Sequence, residues 1–314
     1  MRNVRRRAPD PRSRCSATAR VRRREAAVRA AFLAPAVAFL LLFLGRPLAD
    51  NLTVSLRAAT VSSLLTGEAP FTGLENHLLL LRSEEFRRAL TTTALYTAGS
   101  LAAQFAIGLG LALFFHRCFP LGRTIRALLL LPWLMPLVVT GTVWRWMLET
   151  DGGAVNEVLR ALHLVHAGVP WITGTDEALA SAVLVNTWVG VPFTTALLYG
   201  GLQSVPRQVH EAALLDGAGA VALFRYVTWP LLRPTAGVVL VLGAVYTLRS
   251  PDVVVALTGG GPAGATRTLA VLAYEQSFQE FDFGRAAATG NVLVLIAFVL
   301  ALLHLRADRR ARTP

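Results

Sequence analysis

Residues 89–115 read ALTTTALYTAGSLAAQFAIGLGLALFF, a run without a charged side chain. A helix that crosses a bilayer needs about 20 mainly apolar residues, because lipid offers no partners for backbone N–H and C=O groups. The run exceeds that length and therefore predicts a membrane-spanning helix. The hydroxyls of Thr91–Thr93 and Ser100 and the amide of Gln104 are typical of contacts between helices inside a membrane.

Five other segments are long and apolar enough, or nearly so, to cross the membrane, and lie at about 30–49, 127–148, 178–202, 234–256 and 286–305. They predict an all-α integral membrane protein with six transmembrane helices in a domain covering residues 30–305. In the third and fourth spans, kinked or unwound helix is predicted at Pro132, Pro136, Gly190 and Pro192. The first span follows a basic segment, as in a signal peptide. We expect it to be retained, since that segment is too long and no clear small-residue cleavage site follows.

The composition of the 314-residue chain disfavours a water-soluble globular enzyme. Hydrophobic residues make up 54% and charged residues 16%, with a mean hydropathy of +0.50, whereas soluble domains have about 25% charged residues. All 31 residues in the Lys+Arg total are arginines. Without lysine, the chain has neither a Schiff-base amine nor the lysine of a phosphate-binding Walker loop.

The net charge of +12 is concentrated at the start of the chain, where residues 1–29 hold eleven arginines against Asp10 and Glu25. Every second segment outside the spans is basic, namely 117–126, 203–234 and 306–314. The segments that alternate with them are acidic or nearly balanced, and lie at 50–88, 149–177 and 249–285. Because basic loops stay in the cytoplasm, this pattern predicts two cytoplasmic tails, 1–29 and 306–314, on a multi-pass protein of the cell (plasma or inner) membrane. A basic tail on an apolar body favours a lipid surface over nucleic acid.

The segment at 203–233 is predicted to be a compact pair of short helices on the cytoplasmic side. The first helix starts near Pro206 and stops at Gly217, and the second covers about 220–227 and ends before Pro230. Their surface mixes apolar and charged side chains, and an exposed apolar patch usually marks a contact with a partner.

This segment resembles the EAA loop of permease subunits of ATP-binding-cassette importers: Glu211-Ala212-Ala213, then Gly217, then Val227-Thr228-Trp229-Pro230. The family usually has isoleucine at the place of Val227 and leucine at that of Trp229. The resemblance implies a coupling helix between spans four and five that docks in a groove of the ATPase subunit. Its coupling residues are then Glu211, Ala212, Ala213, Asp216, Gly217, Val227 and Pro230. The alternative is an amphipathic helix lying on lipid.

Further segments resemble the carbohydrate branch of these importers, in the first-permease type found for maltose, trehalose and glycerol-phosphate. They are Phe71 to Asn76, Leu131-Pro132-Trp133, Trp144-Arg145-Trp146, Gly201 to Pro206, Leu257 to Pro262 and Phe281 to Ala287. The resemblance implies a substrate pathway at Trp133, Leu137, Gly190, Phe193, Tyr246, Thr247 and Ser250. Polar groups inside spans usually face a cavity. By chemistry alone, the further candidates are Asn186, Thr187, Trp188, Thr194, Thr195, Tyr199 and Asn291. We expect Arg249 to be an anchor at the membrane interface, and the alternative is a group that faces the external cavity.

The resemblance also implies the assembly. The partners are a second permease subunit in a heterodimer, two ATPase subunits, an extracytoplasmic solute-binding protein, a sugar and the lipid bilayer, with no nucleic acid. ATP and Mg belong to the ATPase subunits, and this chain carries no cofactor and no catalytic residue. His163 and His166 have no carboxylate spacing that suggests a metal site. The alternatives are a polyol or glycerol-phosphate importer, or a membrane-embedded enzyme, which needs clustered acids, histidines or a metal at one membrane face.

Overall fold

The computed structural model describes residues 28–29, 31–117 and 120–312. Most of the Arg-rich segment at 1–29 and the last two residues of the tail at 306–314 thus lie outside the described residues. Within these residues every regular element is helical, and no strand is present beyond isolated bridges between Arg57 and Phe71 and between Thr60 and Asp282. The chain divides into two compact units, residues 1–53 and 54–314.

The first long helix, α1, covers Ala31–Ser55 and contains a π-helical turn at Leu41–Gly45. The helices that follow it before the middle of the chain are α2 (Val61–Thr66), α3 (Glu75–Arg82), α4 (Glu84–His116), α5 (Gly122–Leu129), α6 (Leu131–Leu134) and α7 (Leu137–Met147). The later helices are α8 (Ala154–Ala161), α9 (Thr175–Gln203), α10 (Arg207–Leu215), α11 (Ala220–Arg249), α12 (Asp252–Leu257), α13 (Leu269–Phe278) and α14 (Phe283–Arg312).

Among the described residues, five helices are long and apolar enough to cross a membrane: α1, α4, α9, α11 and, over Phe283–Ala307, α14. A sixth crossing results if α5–α6 and α7 form one bent span. Large apolar side chains such as Leu295 and Phe298 are exposed on α14. Such a surface is unfavourable in water and favourable in hydrocarbon, so the chain is a multi-pass membrane protein.

The interval predicted as the third span, 127–148, is not one straight helix. The helical segments before and after Met135 meet at an angle of 94°. Met135 is extended, with φ −73° and ψ 140°, and Pro136 forms the N-cap of α7. The ring of a proline disfavours helical backbone at the residue before it, which explains the break at this point. The predicted kink is therefore confirmed here.

The fourth span is one continuous helix. Helix α9 continues through Gly190 and Pro192, so the backbone is not unwound at these two residues, and a kink there stays a prediction. Proline removes one backbone hydrogen bond, but α9 packs along α4 over much of its length. The side chain of Gln104 on α4 donates from Nε2 to the carbonyl of Asn186, at 3.0 Å. This packing holds α9 in one piece.

The fifth span begins earlier and ends earlier than the predicted 234–256. Helix α11 starts at Ala220, passes Pro230 and ends at Arg249, and Asp252–Leu257 forms the separate helix α12. The expectation that the second loop helix ends before Pro230 is thus wrong. A π-helical turn at Phe224–Thr228 precedes the proline, and such a turn shifts the hydrogen-bond register, which lets the helix continue past a residue without an N–H. Pro251 explains the new end, because Ser250 before it is extended.

Two short helices, α12 and α13, lie in the core although neither is long enough to span a membrane. Val254 and Leu257 of α12 and Val271 of α13 are fully buried in one cluster with Tyr96 and Val185 of the long helices. Leu269 and Leu272 of α13 belong to a second cluster between α4 and α14. The segment at 249–285, predicted as a connecting loop, is therefore a packed part of the domain.

An ion pair fixes α13 to the loop before it. The guanidinium of Arg267 lies 2.7 Å from the carboxylate of Glu275, whose side chain is 10% exposed. Burial raises the pKa of the Glu275 carboxyl, and the charge of Arg267 opposes this shift without cancelling it. A second carboxylate, Glu85 at the start of α4, lies 3.8 Å from Arg267 and links α4 to the same loop.

Asn156 at the start of α8 organises the segment between α7 and α9. Its side chain is fully buried. Its Nδ2 donates to the carbonyls of Glu149, Thr150 and Val169, and its Oδ1 accepts from the backbone N–H of Val169 and from Nε1 of Trp171. One amide thus satisfies backbone groups from both ends of the loop, as buried polar groups require.

Replacing Asn156 with alanine is expected to loosen residues 149–174. The substitution leaves buried donors and acceptors without partners, at a cost of about 2 kcal/mol or more. Hydrogen exchange of this segment in the purified protein measures the effect. Thr150→Val is the control, since the Thr150 hydroxyl makes only an exposed 3.4 Å bond to Thr173. Equal exchange in the two variants would contradict this role of Asn156.

Candidate functional site

A cavity of about 280 Å³, called the central cavity below, lies among α4, α6, α9 and α11. Its lining is mainly apolar and has the few polar groups typical of sites for small molecules. The lining residues are Gln104, Trp133, Asn186, Val189, Gly190, Phe193, Leu242, Gly243, Val245, Tyr246, Thr247 and Arg249. Five of the seven residues predicted for the substrate pathway are among them: Trp133, Gly190, Phe193, Tyr246 and Thr247.

Aromatic rings form one side of the central cavity. The ring of Trp133, on α6, stacks on that of Phe193, on α9, with centroids 5.7 Å apart and planes 23° apart. Tyr246 on α11 adds a third ring to the lining, and its side chain is partly exposed. The bend between α6 and α7 places Trp133 beside α9, which is how the sequence brings the pair together.

The polar side of the central cavity is a chain of amides and a hydroxyl across three helices. Besides the bond from Gln104 to the carbonyl of Asn186, the Nδ2 of Asn186 donates to Oγ1 of Thr247, at 3.3 Å. All three side chains are buried. Gln104 was expected to be a contact between helices, and it is both such a contact and a lining residue.

The other two predicted pathway residues line a neighbouring cavity. Leu137 and Ser250 lie there with Tyr246, Arg249 and Asp252, around a volume of about 270 Å³. The Ser250 hydroxyl is 2.6 Å from the Asp252 carboxylate. Since both cavities share Tyr246 and Arg249, all seven predicted residues lie in one region.

Arg249, predicted to be an interface anchor, also lines the two cavities. Its side chain lines both cavities, and its guanidinium carbon is 5.9 Å from the centroid of the Tyr246 ring, within the range of a cation–π contact. Among the described residues it has no carboxylate within 4.0 Å. The signal in the sequence was the position of this charge, at the end of an otherwise apolar run.

Tyr199, a candidate by chemistry, lies outside the central cavity. Its ring is near the end of α9, where the guanidinium carbon of Arg126 is 4.4 Å from the ring centroid. Its hydroxyl accepts a hydrogen bond from Gln203, at 3.1 Å. Tyr199 therefore belongs to a different part of the protein from Asn186, although both lie on α9.

The segment with the EAA pattern begins with α10, as predicted from Pro206 and Gly217. The backbone N–H of Gly217 donates to the carbonyl of Leu214, and that of Ala218 donates to the carbonyl of Ala213, both at 3.0 Å. These two bonds form a Schellman motif, which requires a left-handed residue after the helix. Gly217 supplies it with a φ of +83°.

The predicted coupling residues form an exposed group that continues into α11. Glu211, Ala212, Asp216, Gly217 and Pro230 are exposed, whereas Ala213 and Val227 are half-buried. The Glu211 carboxylate makes no ion pair with any described residue. Leu215 and Val221 stand out with 89% and 80% of their surface exposed. Since Val227 lies in the π-helical turn and Pro230 just after it, the pattern links the loop directly to α11.

No group of three or more His, Cys, Asp or Glu side chains that could hold a metal ion occurs in the part of the chain that the structure describes. His163 and His166 thus have no such cluster around them there.

Comparison with known proteins adds relatives of two kinds. The trehalose/maltose transport system permease protein MalF of Thermococcus litoralis is 30% identical over 294 residues, 93% of this chain and 98% of that protein. The sulfoquinovosyl glycerol transport system permease protein SmoG of Agrobacterium fabrum is 31% identical, over 88% and 89% of the two chains. A chain of a bacterial alginate ABC transporter has a TM-score of 0.75 over 92% of this chain and 96% of its own length, with 21% identity, so it shares the fold.

The family described as binding-protein-dependent transport system inner membrane component matches residues 104–313. That range includes the lining residues of both cavities, all seven predicted pathway residues and the whole EAA segment. The named relatives are transport permeases, not enzymes. This chain belongs to the family of binding-protein-dependent transport system inner membrane components, the membrane permeases of ABC transporters.

Proposed function

We propose that this chain is the permease subunit of an ATP-binding-cassette sugar importer and forms half of the translocation pathway. The observation that carries the proposal is the central cavity, whose lining combines the stacked rings of Trp133 and Phe193 with the amides of Gln104 and Asn186. A sugar presents flat C–H faces and hydroxyl edges. Aromatic rings suit the faces, and amides both donate to and accept from hydroxyls.

The relatives support a carbohydrate as cargo. One is named for trehalose and maltose, and another for sulfoquinovosyl glycerol. Since the pathway residues Leu137 and Phe193 are apolar, hydrogen bonds to a sugar come mainly from α11, at Tyr246, Thr247 and Ser250, and from the two amides. The other half of the pathway comes from a second permease subunit in a heterodimer.

The assembly that we propose also contains two ATPase subunits and an extracytoplasmic solute-binding protein. ATP and Mg are bound by the ATPase subunits, since this chain has no lysine for a Walker loop, and we assign it no cofactor and no catalytic residue. The alternating charge of the connecting segments supports two cytoplasmic tails and a cytoplasmic EAA segment in a cell (plasma or inner) membrane.

Coupling to ATP follows from the shape of the EAA segment. The exposed side chains of Leu215 and Val221 offer an apolar face for the groove of the ATPase subunit. The Glu211 carboxylate, which forms no ion pair with a described residue, suits a basic group of that subunit. Because α11 continues from this segment to Arg249 beside the central cavity, a rigid-body movement of the docked segment reaches the substrate pathway.

Arg249 favours a second candidate cargo, a polyol phosphate, glycerol-phosphate or an acidic sugar. Its guanidinium is the charged group in the lining of the central cavity, and no described carboxylate is within ion-pair distance. Arginine pairs well with phosphate, sulfonate or carboxylate oxygens.

Uptake in cells distinguishes these candidates. A strain deleted for this gene is complemented with the wild type and supplied with labelled trehalose, maltose, sulfoquinovosyl glycerol or glycerol-phosphate. Gene-dependent and ATP-dependent uptake of a sugar is the expected result. Uptake of glycerol-phosphate alone, or of the anionic sulfoquinovosyl glycerol alone, supports the second candidate. If none of the four compounds is taken up, further mono- and disaccharides are supplied in the same way, and a lack of uptake of all of them contradicts the proposal.

Replacing Trp133 with alanine is expected to reduce sugar uptake about tenfold, because it removes the ring that stacks on Phe193 and faces the cargo. Trp146→Ala is the matched control. Trp146 lies on α7, is 68% exposed and does not line the central cavity. Uptake is measured at equal membrane levels of each variant. Similar losses of uptake in both variants would contradict the proposed contact between Trp133 and the sugar.

A further inference from the structure

Another cavity, of about 880 Å³, lies at the C-terminal end of α9 and is called the basal cavity below. Its walls come from the last turns of α4 and α9, from α10 and from the first turns of α11. Helices α4 and α9 both have the length and hydropathy of membrane spans. The basal cavity therefore lies where two spans end, at the level of the membrane surface.

The lining of the basal cavity carries an excess of hydrogen-bond donors with positive charge. Arg117 follows α4 and Arg207 begins α10, and the imidazoles of His116 and His210 accompany them. The acid among the lining residues is Glu211. Neither arginine makes an ion pair with a described residue. The charged donors thus come from two separate segments, and within the described residues no carboxylate forms an ion pair with either arginine.

The rest of the lining adds apolar side chains, and a further cation, Arg126, lies behind one lining residue. Leu113, Leu202, Leu223 and Phe224 line the cavity where α4, α9 and α11 approach one another. Tyr199, another lining residue, carries the guanidinium of Arg126 over its ring. A site that is lined by both arginines and apolar side chains suits an anionic head attached to a less polar body.

We propose that the basal cavity binds a phosphate-bearing anion between Arg117 and Arg207. A guanidinium can donate two parallel hydrogen bonds to two oxygens of one phosphate. Basic pockets between the cytoplasmic ends of membrane helices bind phosphate headgroups. The phosphate comes either from an anionic lipid or from a soluble phosphate ester. Since Arg207 and Glu211 lie on one helix, occupancy fixes the position of α10. An effect of this binding on the coupling of ATP hydrolysis to uptake rests on the proposed function. The binding of the anion in the basal cavity does not depend on that function.

Binding is tested with the full-length protein in nanodiscs of phosphatidylcholine, by native mass spectrometry. The probes are phosphatidylglycerol added to the nanodisc, and inorganic phosphate or glycerol 3-phosphate added in solution. The double variant Arg117→Gln/Arg207→Gln is expected to bind the probe at least about tenfold more weakly than the wild type, because each lost guanidinium removes charge-assisted hydrogen bonds. Arg207→Gln alone changes an exposed residue and gives a smaller loss in a protein whose core is unaltered.

The matched control is Arg123→Gln/Arg225→Gln, which removes the same charge from two exposed arginines that do not line the basal cavity. It is expected to bind like the wild type. Retention of phosphatidylglycerol with no competition by the soluble probes identifies a lipid, and saturable binding of a soluble probe identifies a phosphate ester. Absence of binding by the wild type, or equal loss in both double variants, overturns the proposal.

Discussion

Replacing Gly217 with valine is expected to lower ATP-driven uptake about tenfold or more. Gly217 ends α10 with a φ of +83°, a backbone conformation that costs most L-residues about 1–2 kcal/mol and costs β-branched residues more. The Schellman bonds from Gly217 and Ala218 to α10 depend on that conformation. Valine therefore reorients α10 relative to α11, and the proposed docking face loses its shape, while the spans stay inserted.

A matched control for this prediction lies two residues away. Gly219 has a φ of −71° and a ψ of 169°, an extended conformation that valine adopts readily, and an added Cβ meets no atom within 4 Å at either glycine. Gly219→Val should therefore retain most of the uptake. Gly217→Asn should also retain much of it, because asparagine tolerates the left-handed region. Uptake and substrate-stimulated ATP hydrolysis are measured together, and equal losses at residues 217 and 219 would refute the backbone argument.

The class of fold could be predicted from the sequence because the membrane imposes a single dominant rule. A run such as 89–115 has to be helical in lipid, whatever it packs against. The glycine stop of α10 is equally local, since one residue supplies the left-handed turn. The seven pathway residues came from the resemblance, and they lie around two adjoining cavities that share Tyr246 and Arg249.

The features that sequence reasoning missed depend on contacts between distant segments. Helices α12 and α13 are too short for spans, and their apolar residues are buried against protein, which hydropathy alone does not distinguish from a loop. Pro192 was expected to kink or unwind α9, and the helix stays wound there because packing along α4 outweighs one lost backbone bond. The dual role of Gln104 needed knowledge of which helix faces it, since its partner Asn186 is far away in sequence.

The interface between α4 and α9 depends on glycine at residue 108. The ideal Cβ position there lies 2.6 Å from Cγ2 of Thr194 and 3.3 Å from the backbone nitrogen of Thr195. Any side chain at this position therefore meets the opposite helix, including its backbone. Small residues of this kind let two helices approach closely within a membrane, where packing rather than hydrophobic burial drives association.

Replacing Gly108 with leucine is expected to destabilise the folded domain by about 3 kcal/mol or more, because α4 and α9 have to separate along their main contact. Gly110→Leu is the control on the same helix. Gly110 is exposed and has no atom within 4 Å of an added Cβ, and both substitutions gain the same helix propensity of about 1 kcal/mol. The difference in unfolding midpoint between the two purified variants isolates the packing term. Since Thr194 lies one residue from Phe193, the Gly108 variant should also lose uptake, whereas a stable, active Gly108→Leu protein would show that the two helices are not held together here.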